Sequence, residues 1–224
     1  MHPLTKDIIN CFTAHNNPAI AAGAKAYLRN QFEFHGLQSP LRRELVKEVF
    51  KKHTIHKEAE LIACAKEIWE LQQRENQYVA IELLAKNKKL WTIEIISFFE
   101  YLITTKSWWD YVDTIFYLLL APYFKLYPQQ IKLITGRWNK TEDNFWLQRC
   151  SIMFQKPYKK DTDIDLLQQY ILNCNHSKEF FIQKAIGWAL REYAKTNPAW
   201  VKEFVANNKL APLSVREALK HIGQ

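Results

Sequence analysis

Glycine is scarce in this chain, long apolar runs are missing, and its cysteines are unpaired; each shortage removes a class of protein. Only five of 224 residues are glycine (Gly23, Gly36, Gly136, Gly187, Gly223), and no run of alternating β-branched residues lies between turn signals, so strands lack support. Neither a P-loop nor a G-x-G-x-x-G string occurs, which sets aside the common nucleotide-phosphate loops. No stretch approaches the roughly 20 uncharged apolar residues that cross a bilayer. The start, Met1-His2-Pro3-Leu4-Thr5-Lys6-Asp7, has neither an apolar h-region nor a small-residue cleavage site, so a cytoplasmic location and no membrane partner are expected. Cys11, Cys64, Cys150 and Cys174 are far apart and form no C-x-x-C pair, leaving buried reduced thiols as the expectation. His53-x-x-His56 has no acid or cysteine partner at ligand spacing, so no metal is expected, and no motif calls for another cofactor.

What is present suits a globular helical protein. Hydrophobic residues make up 48% and aromatics 14%, enough for a continuous core, and one domain over residues 1–224 is expected. Lys and Arg number 31 against 23 Asp and Glu, a net charge of +8 that favours a polyanion or an acidic surface as partner.

Apolar spacing is helical: Leu4, Ile8, Cys11 and Phe12 fall at i, i+4, i+7 and i+8, and Leu41, Leu45 and Val49 share a second stripe. Asn17-Pro18, Ser39-Pro40 and Asn197-Pro198 place a capping side chain before a proline suited to the first turn. Ser214-Val215-Arg216-Glu217 has capping-box spacing, and Ser107-Trp108-Trp109-Asp110 offers a weaker version. Helices are predicted near residues 3–15, 18–30, 40–53, 57–71, 74–87, 92–104, 107–120, 128–139, 144–156, 163–174, 177–195, 198–207 and 214–222. The expected fold class is all-α, a right-handed superhelix of stacked antiparallel hairpins like HEAT or armadillo arrays, whose repeat is about 40 residues. Such arrays leave an extended concave face for a long partner, whether a duplex or a protein segment.

With Ser107 as cap, Trp108, Val112, Ile115 and Leu119 form the core stripe of the helix that follows. Trp109 and Asp113 then lie four apart on a neighbouring face, so an indole and a carboxylate point into one space from adjacent turns. Further on, Phe181, Ala185 and Trp188 share a face, and Gly187 in mid-helix costs about 1 kcal/mol relative to alanine, which implies a close neighbouring helix or a ligand backbone. Arg149, within Asn144-Phe145-Trp146-Leu147-Gln148-Arg149, sits on an inward-facing helix, where it either pairs with a core carboxylate or holds a phosphate bidentately. Lys156, Lys159, Lys160, Arg191, Lys195, Arg216 and Lys220 supply positive charge to the later helices, as phosphate clamps or solvated faces.

These strings carry a resemblance. Thr105-Lys106-Ser107-Trp108-Trp109-Asp110, Trp146-Leu147-Gln148-Arg149, Ser177 to Trp188 and Arg191-Glu192-Tyr193-Ala194-Lys195 resemble, in order, the AlkD family of bacterial DNA alkylation-repair glycosylases, and the likeness spans nearly the whole chain. It implies a HEAT-like superhelix that holds duplex DNA and excises positively charged bases such as N3-alkyladenine and N7-alkylguanine. By the same resemblance Asp113 is the catalytic carboxylate, Trp109 and Trp188 are its aromatic walls, Arg149 is a phosphate-binding arginine, and Tyr27 and Gln38 touch DNA near the lesion.

The chemistry is consistent with those residue types. An N3- or N7-alkylated purine already carries positive charge and leaves without a general acid. Positive charge then develops on the deoxyribose, where a preorganised carboxylate stabilises it and positions water. Indole faces attract a cation by about 0.5–2 kcal/mol, which favours cationic over neutral bases. Lys106 precedes the cap and is read as a phosphate contact or surface charge rather than a Schiff-base nucleophile, so a monofunctional enzyme is expected; separately, a monomer is expected. A non-catalytic DNA-structure binder on the same fold and a helical protein-interaction scaffold remain as alternatives.

Overall fold

A computed structural model describes residues 1–222. Among them are fourteen α-helices and no strand, the all-α class that the sparse glycine and helical spacing predict; the one ladder-like contact is an isolated bridge between Glu33 and Gln73. The chain gathers into two compact units, Met1–Ile95 and Ile96 onward.

The first unit holds α1 (Pro3–Ala14), α2 (Pro18–Tyr27), α3 (Ser39–Lys52), α4 (Glu58–Glu70) and α5 (Arg74–Lys86). Asn17 caps α2 as expected, its side chain accepting from the Ile20 N–H at 3.2 Å. Leu4, Ile8 and Phe12 of α1, Val46 and Val49 of α3, and Leu61, Ile68 and Trp69 of α4 are buried. In this core Cys11 is only half-buried; the other three thiols are buried and, like Cys11, free.

Helix α3 departs from its predicted stripe. Leu41 is exposed, whereas Arg42 is 6% exposed. The guanidinium tolerates burial because Glu82 accepts from both its terminal nitrogens at 2.8 Å and the Tyr78 ring lies 5.0 Å away, so the helix turns its arginine stem inward and Leu41 out. Ser39 is the first helical residue rather than the cap; that position belongs to Gln38, whose side chain makes no capping bond.

The α2–α3 connection is braced by a buried acid. Glu75 accepts from the backbone N–H groups of His35 (3.0 Å), Gly36 (2.8 Å) and Leu37 (3.1 Å). Gly36 has φ +85°, and a Cβ there would stand 2.1 Å from the Asn17 carbonyl oxygen, so both conformation and space demand glycine.

The second unit holds α6 (Ile96–Thr104), α7 (Trp109–Ile115), α8 (Ala121–Leu126), α9 (Ile131–Lys140), α10 (Phe145–Met153), α11 (Ile164–Cys174), α12 (Phe180–Ala194), α13 (Pro198–Asn207) and α14 (Pro212–Leu219). Asn144, Asp163 and Asn197 cap α10, α11 and α13. Helix α10 packs on α9 and α12, and α12 lies against α14.

The predicted helix over 107–120 starts later and runs further. Ser107 does not cap it: its hydroxyl donates to the Ile103 carbonyl at 2.6 Å, closing the end of α6, and Trp108 takes the cap position without a side-chain bond. Downstream, Phe116–Leu120 forms a π turn that leads directly into α8. The Ala121 N–H donates to the Phe116 carbonyl, five residues back. Pro122 follows at the start of α8, where its missing N–H would otherwise leave a gap in an α ladder; the wide turn carries the helix past it.

Candidate active site

Helix α7 presents the pair that its spacing predicts. Val112, Ile115 and Leu119 are fully buried, anchoring one side, while Trp109 and Asp113 are half-buried on the next face. Tyr111, also fully buried, ties α7 to α6 by donating its phenol to the Thr105 carbonyl. Trp108 departs from the expected stripe: it is only half-buried, and its ring packs 5.7 Å from Phe181 and 6.3 Å from Trp146, in an aromatic cluster between α10 and α12.

Arg149 lies on α10 and is 1% exposed. Its Nε donates to Asp113 Oδ1 and its Nη2 to Oδ2, both at 2.9 Å, and its Nη1 donates to the Phe181 carbonyl at 2.7 Å. The carboxylate partner that one sequence reading of Arg149 offers is therefore Asp113, and the guanidinium is engaged inside the protein on all three nitrogens. Burial pushes the Asp113 carboxyl above the usual aspartate range, and Arg149 works against that rise. Asp113 retains 21% side-chain exposure, so the carboxylate is desolvated and oriented yet reachable.

Trp188, half-buried on α12, is ringed by cations. Lys184 Nζ lies 5.2 Å from the ring centroid, Arg149 Cζ 5.3 Å, Lys156 Nζ 5.5 Å and Arg191 Cζ 5.8 Å. Lys156 follows α10 in a 3₁₀ turn; burial holds its ammonium below the usual lysine range, opposed by Glu192 and Asp113. The Gly187 expectation resolves in favour of a neighbouring helix, since a Cβ there would lie 2.5 Å from Glu217 Cβ and 2.8 Å from the Ser214 carbonyl oxygen of α14.

The capping box expected at Ser214 to Glu217 is not formed. Helix α14 begins at Pro212, the Ser214 hydroxyl donates to the Gln183 carbonyl at 2.8 Å, and Glu217 turns to α12. Glu217 accepts from Lys184 at 2.7 Å, Trp188 Nε1 at 3.1 Å and Arg191 at 2.9 Å. Sequence reading missed this acid and Lys184, because their partners lie about thirty residues apart in sequence. The only available signal was the i, i+4, i+7 spacing of Lys184, Trp188 and Arg191, which puts three donors on one face.

Asp113, Trp109, Trp188, Arg149, Lys156 and Arg191 thus belong to one unit, with Asp113, Arg149, Lys156, Trp188 and Arg191 brought close together. Lys195 is exposed and paired with Glu192 at 2.9 Å, and Arg216 is exposed on α14. Tyr27 and Gln38 belong to the first unit, Tyr27 72% exposed at the end of α2 and Gln38 exposed at the start of α3. Among the described residues no group of three or more His, Cys, Asp or Glu is arranged to hold a metal; His53 meets Asp7 at 2.8 Å. No helix among them is long and apolar enough to cross a membrane.

The arrangement offers a desolvated, oriented carboxylate near an indole, a setting that stabilises positive charge in whatever lies between. The model of a family described as DNA alkylation repair enzyme matches residues 8–222. A solved structure from Enterococcus faecalis, described as a predicted DNA alkylation repair enzyme, is 35% identical; the match covers 94% of this chain and 98% of that one, with a TM-score of 0.87. No curated protein matches the chain.

Proposed function

Because the chain belongs to the family of DNA alkylation repair enzymes, we propose that it is a monofunctional DNA glycosylase for positively charged alkylated purines, N3-alkyladenine and N7-alkylguanine, in duplex DNA. Its role lies in alkylation repair, with DNA as substrate or partner. The observation that carries the finer reading is the Asp113 carboxylate, 21% exposed and held bidentately by buried Arg149, one turn from the Trp109 indole.

In this reading the alkylated base leaves with its bonding electrons and so neutralises its own charge. Asp113 stabilises the positive deoxyribose and orients the water that completes hydrolysis. Trp109 and Trp188 attract the cationic base. Arg149 acts through Asp113, by fixing both oxygens. Lys156, Arg191, Lys195 and Arg216, with Tyr27 and Gln38 of the first unit, contact the DNA. The whole chain, 1–224, works as one repair domain, a monomer of the bacterial cytosol and nucleoid, without metal or cofactor.

The test is base release from duplex containing N7-methylguanine. The native protein is expected to release the base, and Asp113→Asn to slow release about 10²- to 10³-fold, the usual effect of removing one charge-stabilising group, while DNA binding persists. Equal release by both proteins would sink the mechanism.

A further inference from the structure

Glu217 is 8% exposed, lies outside the Asp113–Arg149 pair, and touches three side chains of α12 at once. Its Oε1 accepts from Lys184 at 2.7 Å; its Oε2 accepts from Arg191 at 2.9 Å and from the Trp188 indole N–H at 3.1 Å. The central donor is therefore the indole, flanked by two cations that themselves stand 5.2 and 5.8 Å from its ring. Gly187 makes this depth possible, since any larger residue would strike the Glu217 Cβ.

The cations around Trp188 pose an electrostatic problem for an indole that must attract another positive charge. Arg149 is neutralised by Asp113, and Lys156 feels Glu192 and Asp113. Lys184 and Arg191 have Glu217 as their common counter-charge. Without it, two uncompensated cations would stand against the same ring and repel a cationic base.

We infer that Glu217 is a positioning residue for Trp188: its carboxylate fixes the indole through the ring N–H and offsets part of the positive charge of the two flanking cations, which lowers the repulsion that a positively charged base meets at the ring. The inference rests on the reading of Trp188 as a wall of the lesion site. It names a third acid in the machinery, acting through the indole rather than on the sugar.

Two measurements on the full-length protein separate this role from mere packing of α14 on α12. The first is the indole N–H resonance of Trp188 in ¹⁵N-tryptophan-labelled protein, assigned by its loss in Trp188→Phe. Glu217→Ala is expected to move this resonance and speed its exchange with water, and Glu217→Gln, which keeps an acceptor oxygen and the side-chain volume, to move it less. An unmoved resonance in both variants overturns the inference, whether or not the protein shows glycosylase activity.

The second is single-turnover release of N7-methylguanine in a double-mutant cycle. Glu217→Gln is expected to slow release about tenfold, the loss that follows from weakening one charge-assisted hydrogen bond, at unchanged affinity for the DNA. In the Trp188→Phe background the same substitution should slow release less, because the contact to the indole N–H is already gone. Equal slowing in both backgrounds overturns the inference, because Glu217 would then act without the indole. If the native protein releases no base, the glycosylase reading fails, and the indole resonance still decides Glu217.

Discussion

Glu75 in the first unit and Asp113 in the second are both acids withdrawn from water, and the two are used differently. Glu75 in the first unit spends its oxygens on three consecutive backbone N–H groups around Gly36 and is 3% exposed. Asp113 in the second unit faces a single guanidinium and keeps 21% of its side chain open to solvent. Both carboxylates bear the cost of leaving water, and both recover it through charge-assisted bonds. Glu75 is engaged by the backbone of the α2–α3 connection, so it braces a loop. Asp113 is oriented from one side and reachable from the other, as its proposed role requires. Burial alone therefore does not separate the two acids; the open face of Asp113 does.

The comparison breaks most readily at Glu75. Glu75→Gln should cost about 2–4 kcal/mol of stability, as expected when a buried ionic acceptor of several hydrogen bonds is neutralised, measured by urea unfolding. Base release per folded molecule should stay at the native level; if it fell as far as in Asp113→Asn, the division between brace and active acid would be wrong. A smaller effect is expected from Gly187→Ala. The gain in helix propensity, about 1 kcal/mol, is outweighed by overpacking against α14, leaving a net loss of about 1–2 kcal/mol, and thermal unfolding that shows stabilisation instead would contradict the close approach. The smallest effect is on pH dependence. Since burial raises the Asp113 pKa and the ionised form is the active one, base release should decline on acidification before an ordinary aspartate takes up its proton. The residual release of Asp113→Asn should lack that acid limb. On stability the sign is reversed: a raised carboxyl pKa favours the folded state below the unfolded value, and this contribution is lost as pH rises through the folded one.

Much of the helical layout was legible because it rests on local chemistry. Asn17 and Asn197 cap where they stand, Val112, Ile115 and Leu119 bury one side of their helix, and Trp109 and Asp113 follow from an i, i+4 count. The departures share a cause: the deciding partner lies in another element, and for all but Ser107 far away in sequence. Ser107 closes the preceding helix, Ser214 and Glu217 reach α12, and Arg42 displaces Leu41 because Glu82 awaits it forty residues on. Arg149 carried both readings in the sequence, and only the fold brings Asp113 to it. The helix runs on past residue 120 through Pro122, and nothing local in the sequence announces the π turn that allows it.

That turn, Phe116–Leu120, also sets the phase of the helix. A π turn holds one residue more than an α turn, and one residue is about 100° of rotation. The seam that buries Val112 and Ile115 is thereby offset by a fixed angle from the one that buries Tyr123 and Phe124. One continuous helix so turns two different faces to its neighbours, and the first of them carries Asp113 to Arg149.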